Sequence, residues 1–426
     1  MEPKVESLEL ESGLRVLAVQ LPHARTAVVE FISEAGSRYD PPELAGISHF
    51  LEHMLYRGTR SCPGPHELAL AFERRGGLLE AATYIDHGSV VLSVPPENVI
   101  ASIPAFCEVL RSPILQGIDI ERAIVREEIL ETLDDASRLV ESDDLARALC
   151  FPGHSLGHPI TGSLDALDRF DQAALLAHHD KLYVGAASVI AVAGAVEPGR
   201  VFEALTQGMA GLARGTRPIV VTPNQTTGPI YNFVRYSDSQ SHLRILFRAP
   251  GYADVREPAI EMLLRLLDDG MSTRLYHRIC NTLGLCYDVS AYYEPWTDAG
   301  VVELAGDCAH ERVAALGQEL LELIVRLRDD GPTLEEFTAA KQRARWQHLE
   351  LLDDPSELTG FYGYAELKHN VRSLMARVDQ LESVTLETLR AVAHELFVPE
   401  NLVMVCVGEP NKRVRDKLER ALQQFV

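Results

Sequence analysis

Cysteine is sparse in this chain, and the few cysteines are scattered. Only 7 of the 426 residues are cysteine, an odd number, and no two of them form a C-x-x-C pair. Such usage is typical of a reducing compartment, and it argues against both a disulfide framework and a cysteine-based zinc site.

Long hydrophobic runs and targeting segments are also missing. The longest run of small apolar residues, Ala186 to Val196, is far shorter than the ~20 residues that a membrane-spanning helix needs. The N-terminus, MEPKVESLELESG, is acidic and lacks an apolar core, so it resembles neither a secretory signal nor a transit peptide. We therefore expect a cytoplasmic protein that does not bind membranes.

Basic residues are few compared with acidic ones. Lys and Arg number 40 against 62 Asp and Glu, which gives a net charge of −22. A chain this acidic repels phosphate backbones, so we expect no nucleic-acid partner. The charge weakly favours neutral or basic ligands. No GxGxxG or GxxxxGK[ST] motif occurs, which argues against nucleotide use.

Two halves of similar style follow one another along the chain. Strand-like alternation and helical periodicity in the first half recur in the second, and a polar, Pro- and Gly-containing stretch separates them. We predict an N-terminal domain at 1–215, a linker at 216–229 and a C-terminal domain at 230–426. The pattern predicts the α+β class.

The sharpest motif is His49-Phe-Leu-Glu52-His53, which lies inside a helix predicted at 43–56. Histidines four residues apart lie on one side of a helix, and Glu52 lies near that side. Two neutral imidazoles could bind zinc, with the carboxylate as general base, as in the reversed H-x-x-E-H pattern. A partly exposed polar stripe is the alternative interpretation of these five residues.

A catalytic zinc needs a third protein ligand, and a second predicted helix at 118–136 offers candidates. Glu121 and Glu128 are seven residues apart, so they fall on one helix face. One could bind the metal while the other supports the second nitrogen of a ligating histidine. The alternative is an ordinary solvated, charged helix.

HFLEHMLYRGT and the later ERAIVREEI resemble the M16 metallopeptidases, the family of pitrilysin and the mitochondrial processing peptidase. The similarity extends over essentially the whole chain, and the length fits the short members that act as dimers. It implies two related domains, each a mostly antiparallel sheet with helices packed on one face, as in LuxS/M16-like metalloenzymes. It also implies one Zn²⁺ per chain and hydrolysis of short or unfolded polypeptides.

The family pattern assigns roles to individual positions of this chain. His49, His53 and Glu128 would bind the metal, since Glu128 lies 75 residues beyond His53 as in relatives, with Glu127 as the rival ligand. Glu52 would be the catalytic base, and Glu121 would support a ligand.

In the second half, Ser272-Thr-Arg-Leu-Tyr and Gly284-Leu-Cys-Tyr287 match the family signature. The resemblance implies that Tyr287 contacts the substrate carbonyl or its oxyanion. The family usually has an arginine seven residues before this tyrosine, where this chain has Cys280.

The resemblance further implies that substrate adds as a strand to an edge near residues 79–84, with Glu80, Ala81 and Thr83 as candidate contacts. Relatives often have Asn-Ala where this chain has Glu80-Ala81. The missing arginine suggests a heterodimer with a homologous subunit that has an intact Arg/Tyr pair, and a homodimer is the competing expectation. The alternative function is a non-catalytic subunit of a processing-peptidase-like complex.

Overall fold

Strands and helices alternate along the whole chain. This computed structural model describes residues 2–224 and 228–425. Its strands are β1 Lys4–Glu9, β2 Arg15–Gln20, β3 Ala27–Ser33, β4 Leu78–Thr83, β5 Gly88–Val94, β6 Ser188–Gly194, β7 Ile230–Arg235, β8 Ser241–Ala249, β9 Val289–Pro295, β10 Gly300–Cys308 and β11 Leu402–Gly408. Its α-helices are α1 Ile47–Leu55, α2 Pro65–Glu73, α3 Val99–Arg111, α4 Ile118–Glu131, α5 Ser142–Cys150, α6 Leu164–Leu167, α7 Gln172–Leu182, α8 Pro198–Gly208, α9 Glu257–Leu267, α10 Val313–Asp329, α11 Leu334–Glu350, α12 Pro355–Leu367, α13 Leu374–Ser383, α14 Leu386–Leu396 and α15 Lys412–Phe425. Across these described residues, no helix is both long enough and apolar enough to cross a bilayer.

Strands β1 to β6 form the first sheet, in the order β1-β2-β6-β3-β5-β4. The β2/β6 pair is parallel, and the other neighbours are antiparallel. The central strands β3 and β6 have the sequences AVVEFIS and SVIAVAG and are buried at every residue. Strand β4 lies at the edge of this sheet, which leaves one of its sides without a neighbouring strand.

The second sheet has the order β7-β11-β8-β10-β9. Its β7/β11 pair is parallel, and the remaining pairs are antiparallel. Both sheets are therefore mixed but mostly antiparallel, which confirms the predicted α+β class. A π-helix at Tyr276–Thr282 precedes β9.

Helix α12 covers one face of the first sheet, although it lies far along the chain. Tyr362 belongs to a buried cluster that also contains Ile32 of β3. A Cβ atom at Gly363 would lie 2.6 Å from the Ile32 side chain, so the helix packs closely against the sheet. Phe31 points to the opposite face, where it stacks on Tyr183 with ring centroids 5.5 Å apart.

Helix α5 covers one face of the second sheet in the same way. The Nε of Arg248 in β8 donates to the Cys150 carbonyl at 2.7 Å, while the neighbouring Phe247 packs on the other face against Phe397 and Phe425. Both sheets thus have helices on both faces, where the sequence predicts them on one. The reason is that apolar central strands need cover on each side.

The chain divides into two compact units, each of which takes one segment from the other half. The first comprises residues 1–129, 158–220 and 348–375, and the second comprises 130–157, 221–347 and 376–426. The predicted domains at 1–215 and 230–426 do not include this exchange, which places α12 in the first unit and α5 in the second. The linker at 216–229 stays a prediction, and residues 225–227 of it lie outside the described residues.

Candidate metal centre

The helix that carries the two histidines has a fixed starting point. Helix α1 begins at Ile47, after Gly46, whose φ of 95° favours glycine. A Cβ there would also lie 2.5 Å from the Thr161 carbonyl oxygen. The Asp40 carboxylate accepts hydrogen bonds from the Gly46 amide at 2.8 Å and the Ser48 hydroxyl at 2.6 Å. These contacts set where α1 begins and therefore which way its side chains point.

His49 and His53 lie side by side on α1, with ring centroids 4.7 Å apart. His49 is 8% exposed, and its Nδ1 has no hydrogen-bond partner within the described chain. Burial, helped by the nearby charge of His53, lowers the pKa of His49 to about 4. The imidazole is therefore neutral near pH 7, the form in which histidine binds metals.

Helix α4 brings a carboxylate against both rings. Glu128 Oε1 lies 3.4 Å from His49 Nε2, and its Oε2 lies 3.8 Å from His53 Nε2. One donor atom from each residue lies within 4.8 Å of the others. Glu127, the rival candidate, is exposed and does not belong to this group.

Glu121 is placed on the other side of His53. Its Oε2 lies 3.4 Å from His53 Nδ1, and its Oε1 accepts a hydrogen bond from Arg57 at 3.2 Å. Glu121 is 7% exposed. When His53 donates its Nδ1 proton to this carboxylate, its Nε2 presents a lone pair towards Glu128.

The donor atoms fit a divalent metal ion. The His53 Nε2 lone pair faces the Glu128 carboxylate, and two acceptors that face each other are favourable only with a cation or a proton between them. Two imidazole nitrogens and one carboxylate oxygen are a donor set of catalytic zinc sites, which keep the fourth position open. His49, His53 and Glu128 therefore meet the requirements for such an ion.

Glu52 lies on the same helix as the two histidines and contacts the edge strand. Thr83 of β4 donates its hydroxyl to Glu52 Oε2 at 2.8 Å. Burial raises the pKa of Glu52, and the hydrogen bond from Thr83 opposes this shift. A carboxyl group with a raised pKa is suited to general acid–base catalysis near neutral pH.

The three candidate substrate contacts lie on β4. Glu80 is exposed, and Ala81 and Thr83 are half-buried. The metal helix therefore contacts this edge strand through the hydrogen bond between Glu52 and Thr83.

Tyr287 and Cys280 belong to the second unit. Tyr287 is 94% exposed, and its contact with substrate stays a prediction. Cys280 lies on the π-helix and packs, together with Cys286, against the hydrophobic core of that unit. The nearby Arg274 and Arg278 each form an ion pair with a glutamate.

Some residues that support the site have roles that sequence patterns did not reveal. Arg57 lies in the turn after α1 and donates a hydrogen bond to Glu121. His178 contacts the Ser48 hydroxyl through Nε2 at 2.8 Å. Since His178 lies 130 residues from Ser48 in sequence, no local pattern joins them.

The chain thus combines two α+β units with a His-His-Glu group, two members of which lie on an H-x-x-E-H helix. Family models match both parts of the chain. The model described as Insulinase (Peptidase family M16) matches residues 15–161, and the Peptidase M16 inactive domain matches residues 169–344. The chain belongs to the M16 peptidase family, as the sequence resemblance predicted.

Similar proteins cover nearly the full length of the chain. An uncharacterized zinc protease of Mycobacterium leprae is 28% identical over 91% of this chain and 88% of its own length. YmxG, an uncharacterized zinc protease of Bacillus subtilis, is 26% identical over 92% of this chain and 95% of its own length. A protease from Helicobacter pylori has a TM-score of 0.88 at 21% identity, covering 96% of this chain and all of its own, and therefore shares the fold.

Proposed function

We propose that this protein is a zinc-dependent endopeptidase that cleaves short or unfolded polypeptides. The observation that carries the proposal is the convergence of His49, His53 and Glu128 within 4.8 Å, with Glu52 on the same helix. Membership of the M16 family and the naming of its relatives as zinc proteases support it.

In this proposal each residue of the site has one task. His49, His53 and Glu128 hold one zinc ion per chain. When bound, zinc acts as a Lewis acid that polarises the scissile carbonyl and lowers the pKa of the attacking water. Glu52 takes the proton from that water and passes it to the leaving amine. Glu121 holds the His53 ring in position.

The substrate would bind as an extended strand along β4. Edge strands present unpaired backbone groups, and peptides recognised in this way gain main-chain hydrogen bonds. Glu80, Ala81 and Thr83 lie along this edge, and Tyr287 would hydrogen-bond the substrate carbonyl or its oxyanion. This mode favours unstructured segments over folded proteins.

Metal-dependent cleavage of an unstructured peptide mixture tests the proposal. The wild-type chain should lose cleavage when a chelator removes the metal and regain it when zinc is added. His53→Ala should abolish cleavage, whereas His66→Ala, which changes an exposed histidine outside the metal group, should have no effect. Cleavage by His53→Ala at the wild-type rate would contradict the proposal.

A non-catalytic subunit is the second candidate, and the observation that favours it is Cys280. This residue takes the position of the family's usual arginine and packs against a hydrophobic core. A heterodimer with a subunit that supplies the Arg/Tyr pair would restore the missing group, and a homodimer is the other arrangement we propose to test. Light scattering during size-exclusion chromatography, with a cleavage assay on each peak, separates them, because an active homodimer needs no second subunit.

A further inference from the structure

A buried hydrogen-bonded network connects helix α7 to the metal helix α1 through Ser48, the residue directly before His49. The Ser48 hydroxyl donates to Asp40 Oδ1 at 2.6 Å and lies 2.8 Å from Nε2 of His178, a residue of α7. Asp40, Ser48 and His178 are all buried and all belong to the first compact unit. Polar groups are costly to bury unless they are hydrogen-bonded, so each member of this network needs the others.

The protons of the network follow from its geometry. Asp40 accepts from the Gly46 amide with one oxygen and from the Ser48 hydroxyl with the other. Because that hydroxyl has a single proton, the contact between Ser48 and His178 requires Nε2 of His178 to be the donor. Burial, helped by the charge of Lys181, lowers the pKa of His178 to about 3. The ring is therefore neutral, and its one proton lies on Nε2.

The network lies where it controls the direction of the metal-binding side chains. Consecutive residues of a helix point about 100° apart, and here Ser48 points towards α7 while His49 points towards Glu128. A ligating nitrogen lies roughly 6 Å from the axis of its helix, so a rotation of about 10° moves it by roughly 1 Å. Metal–ligand distances tolerate deviations of only about 0.2 Å. The contacts that fix the rotation of α1 therefore decide whether its histidines can share one metal ion with Glu128.

We propose that His178 is a positioning residue for the metal centre. Through its hydrogen bond to Ser48 it fixes the rotation of α1 about the helix axis, which sets where the two metal-binding imidazoles lie relative to Glu128. Asp40 alone does not achieve this, because it holds the first turn of α1 from the preceding loop, whereas His178 ties that turn to a second helix. The inference rests on the proposed function, since it requires the His-His-Glu group to bind a metal ion.

Titration with Co²⁺ tests the proposal, because the visible absorption of this ion depends on the geometry of its ligands. The titration is done at pH 8, where Asp40 is ionised, since burial raises its pKa to about 7. His178→Leu, which has no hydrogen-bonding group, should change the absorption spectrum and weaken Co²⁺ binding about tenfold, the lower end of the range for groups that orient a ligating histidine. His178→Gln should restore both, because its amide nitrogen can donate to Ser48 in place of Nε2.

His179 provides the matched control. It is the next residue of α7 and is as buried as His178, but its Nε2 contacts the Leu110 carbonyl at 2.8 Å and its ring stacks on Tyr183. His179→Leu should therefore lower the stability of the protein without changing its affinity for Co²⁺ or the spectrum. If His179→Leu changes both as much as His178→Leu does, a general loosening of α7 explains the effect and the proposal is overturned.

Ser48→Ala keeps the test decisive if His178→Leu fails to fold. This change removes the hydroxyl that connects Asp40 with His178, and alanine is the most favourable residue within a helix. Ser48→Ala should weaken Co²⁺ binding to the same extent as His178→Leu. Wild-type affinity and a wild-type spectrum in Ser48→Ala and in any folded His178→Leu would overturn the proposal.

Metal binding and peptide cleavage, measured on the same proteins, separate this inference from the proposed function. If the variants change Co²⁺ binding as expected but the zinc-loaded wild type cleaves no peptide, the positioning role stands and the proposed function fails alone. If cleavage depends on the metal but the variants bind Co²⁺ as the wild type does, the positioning role fails alone. A wild-type protein that binds neither Co²⁺ nor Zn²⁺ would overturn both.

Discussion

Removing the Glu121 carboxylate should weaken zinc binding without removing a zinc ligand. Glu121 Oε2 lies 3.4 Å from His53 Nδ1, and its Oε1 accepts from Arg57 at 3.2 Å. The carboxylate therefore holds the His53 ring in the orientation in which Nε2 is available to bind the metal. Glu121→Gln keeps the shape but loses the charge, and Glu121→Ala removes both.

The expected loss follows from what such supporting carboxylates contribute. Partners of a ligating histidine typically contribute about 10-fold to 100-fold in metal affinity or activity, which corresponds to roughly 1.4 to 2.7 kcal/mol. Glu121→Gln should fall near the lower end, because an amide oxygen can still accept the Nδ1 proton. Glu121→Ala should fall near the upper end, because it also leaves Arg57 without this partner.

Competition with a chromophoric zinc chelator measures the affinity directly, and denaturant unfolding of the metal-free proteins separates metal binding from stability. Glu127→Gln is the matched control, because Glu127 lies on the same helix, is exposed and stays outside the metal group. If Glu121→Ala binds zinc as tightly as Glu127→Gln does, the role assigned to Glu121 is wrong.

Three further predictions concern stability. Gly46→Ala should cost about 2 kcal/mol, because it strains a φ of 95° at the start of the metal helix. Arg377→Met should cost about 3 kcal/mol, because Arg377 donates two hydrogen bonds of 2.6 Å to the buried Glu257 carboxylate, which would lose its cation. Ion pairing with Asp307 and Asp238 raises the pKa of His242 to about 9. A histidine whose pKa is higher in the folded state stabilises the folded protein fully at pH values below its unfolded-state pKa, about 6.5. This stabilisation disappears as the pH rises through the folded-state pKa of about 9. We therefore expect the free energy of unfolding of wild type to exceed that of His242→Gln by about 1 kcal/mol at pH 6, after allowance for solvent screening. At pH 10 the two values should differ little.

Chemical denaturation of each variant beside wild type measures all three effects. Unchanged midpoints for Gly46→Ala or Arg377→Met would contradict the strain and ion-pair arguments respectively. For His242→Gln, a stability difference that is the same at pH 6 and pH 10 would contradict the titration argument.

The local elements and their class follow from sequence, because they depend on short-range patterns. The H-x-x-E-H motif identifies the helix that holds His49 and His53. The seven-residue spacing of Glu121 and Glu128 places both on one face of α4, and the structure brings both to the histidines.

Packing between distant segments does not follow from such patterns. No local pattern in either segment indicates that α12 packs against Ile32, more than 300 residues earlier. The contact of Asp40 with Ser48 likewise depends on how the loop before α1 folds back on the helix.

The most direct test of the account measures zinc content and peptide cleavage on the same preparations of wild type and Glu52→Gln. The account predicts one zinc per chain in both proteins and cleavage in the wild type alone, since loss of a general base typically costs about 10²-fold to 10⁴-fold in rate. Cleavage by Glu52→Gln at the wild-type rate, or full wild-type activity in protein without zinc, would contradict it.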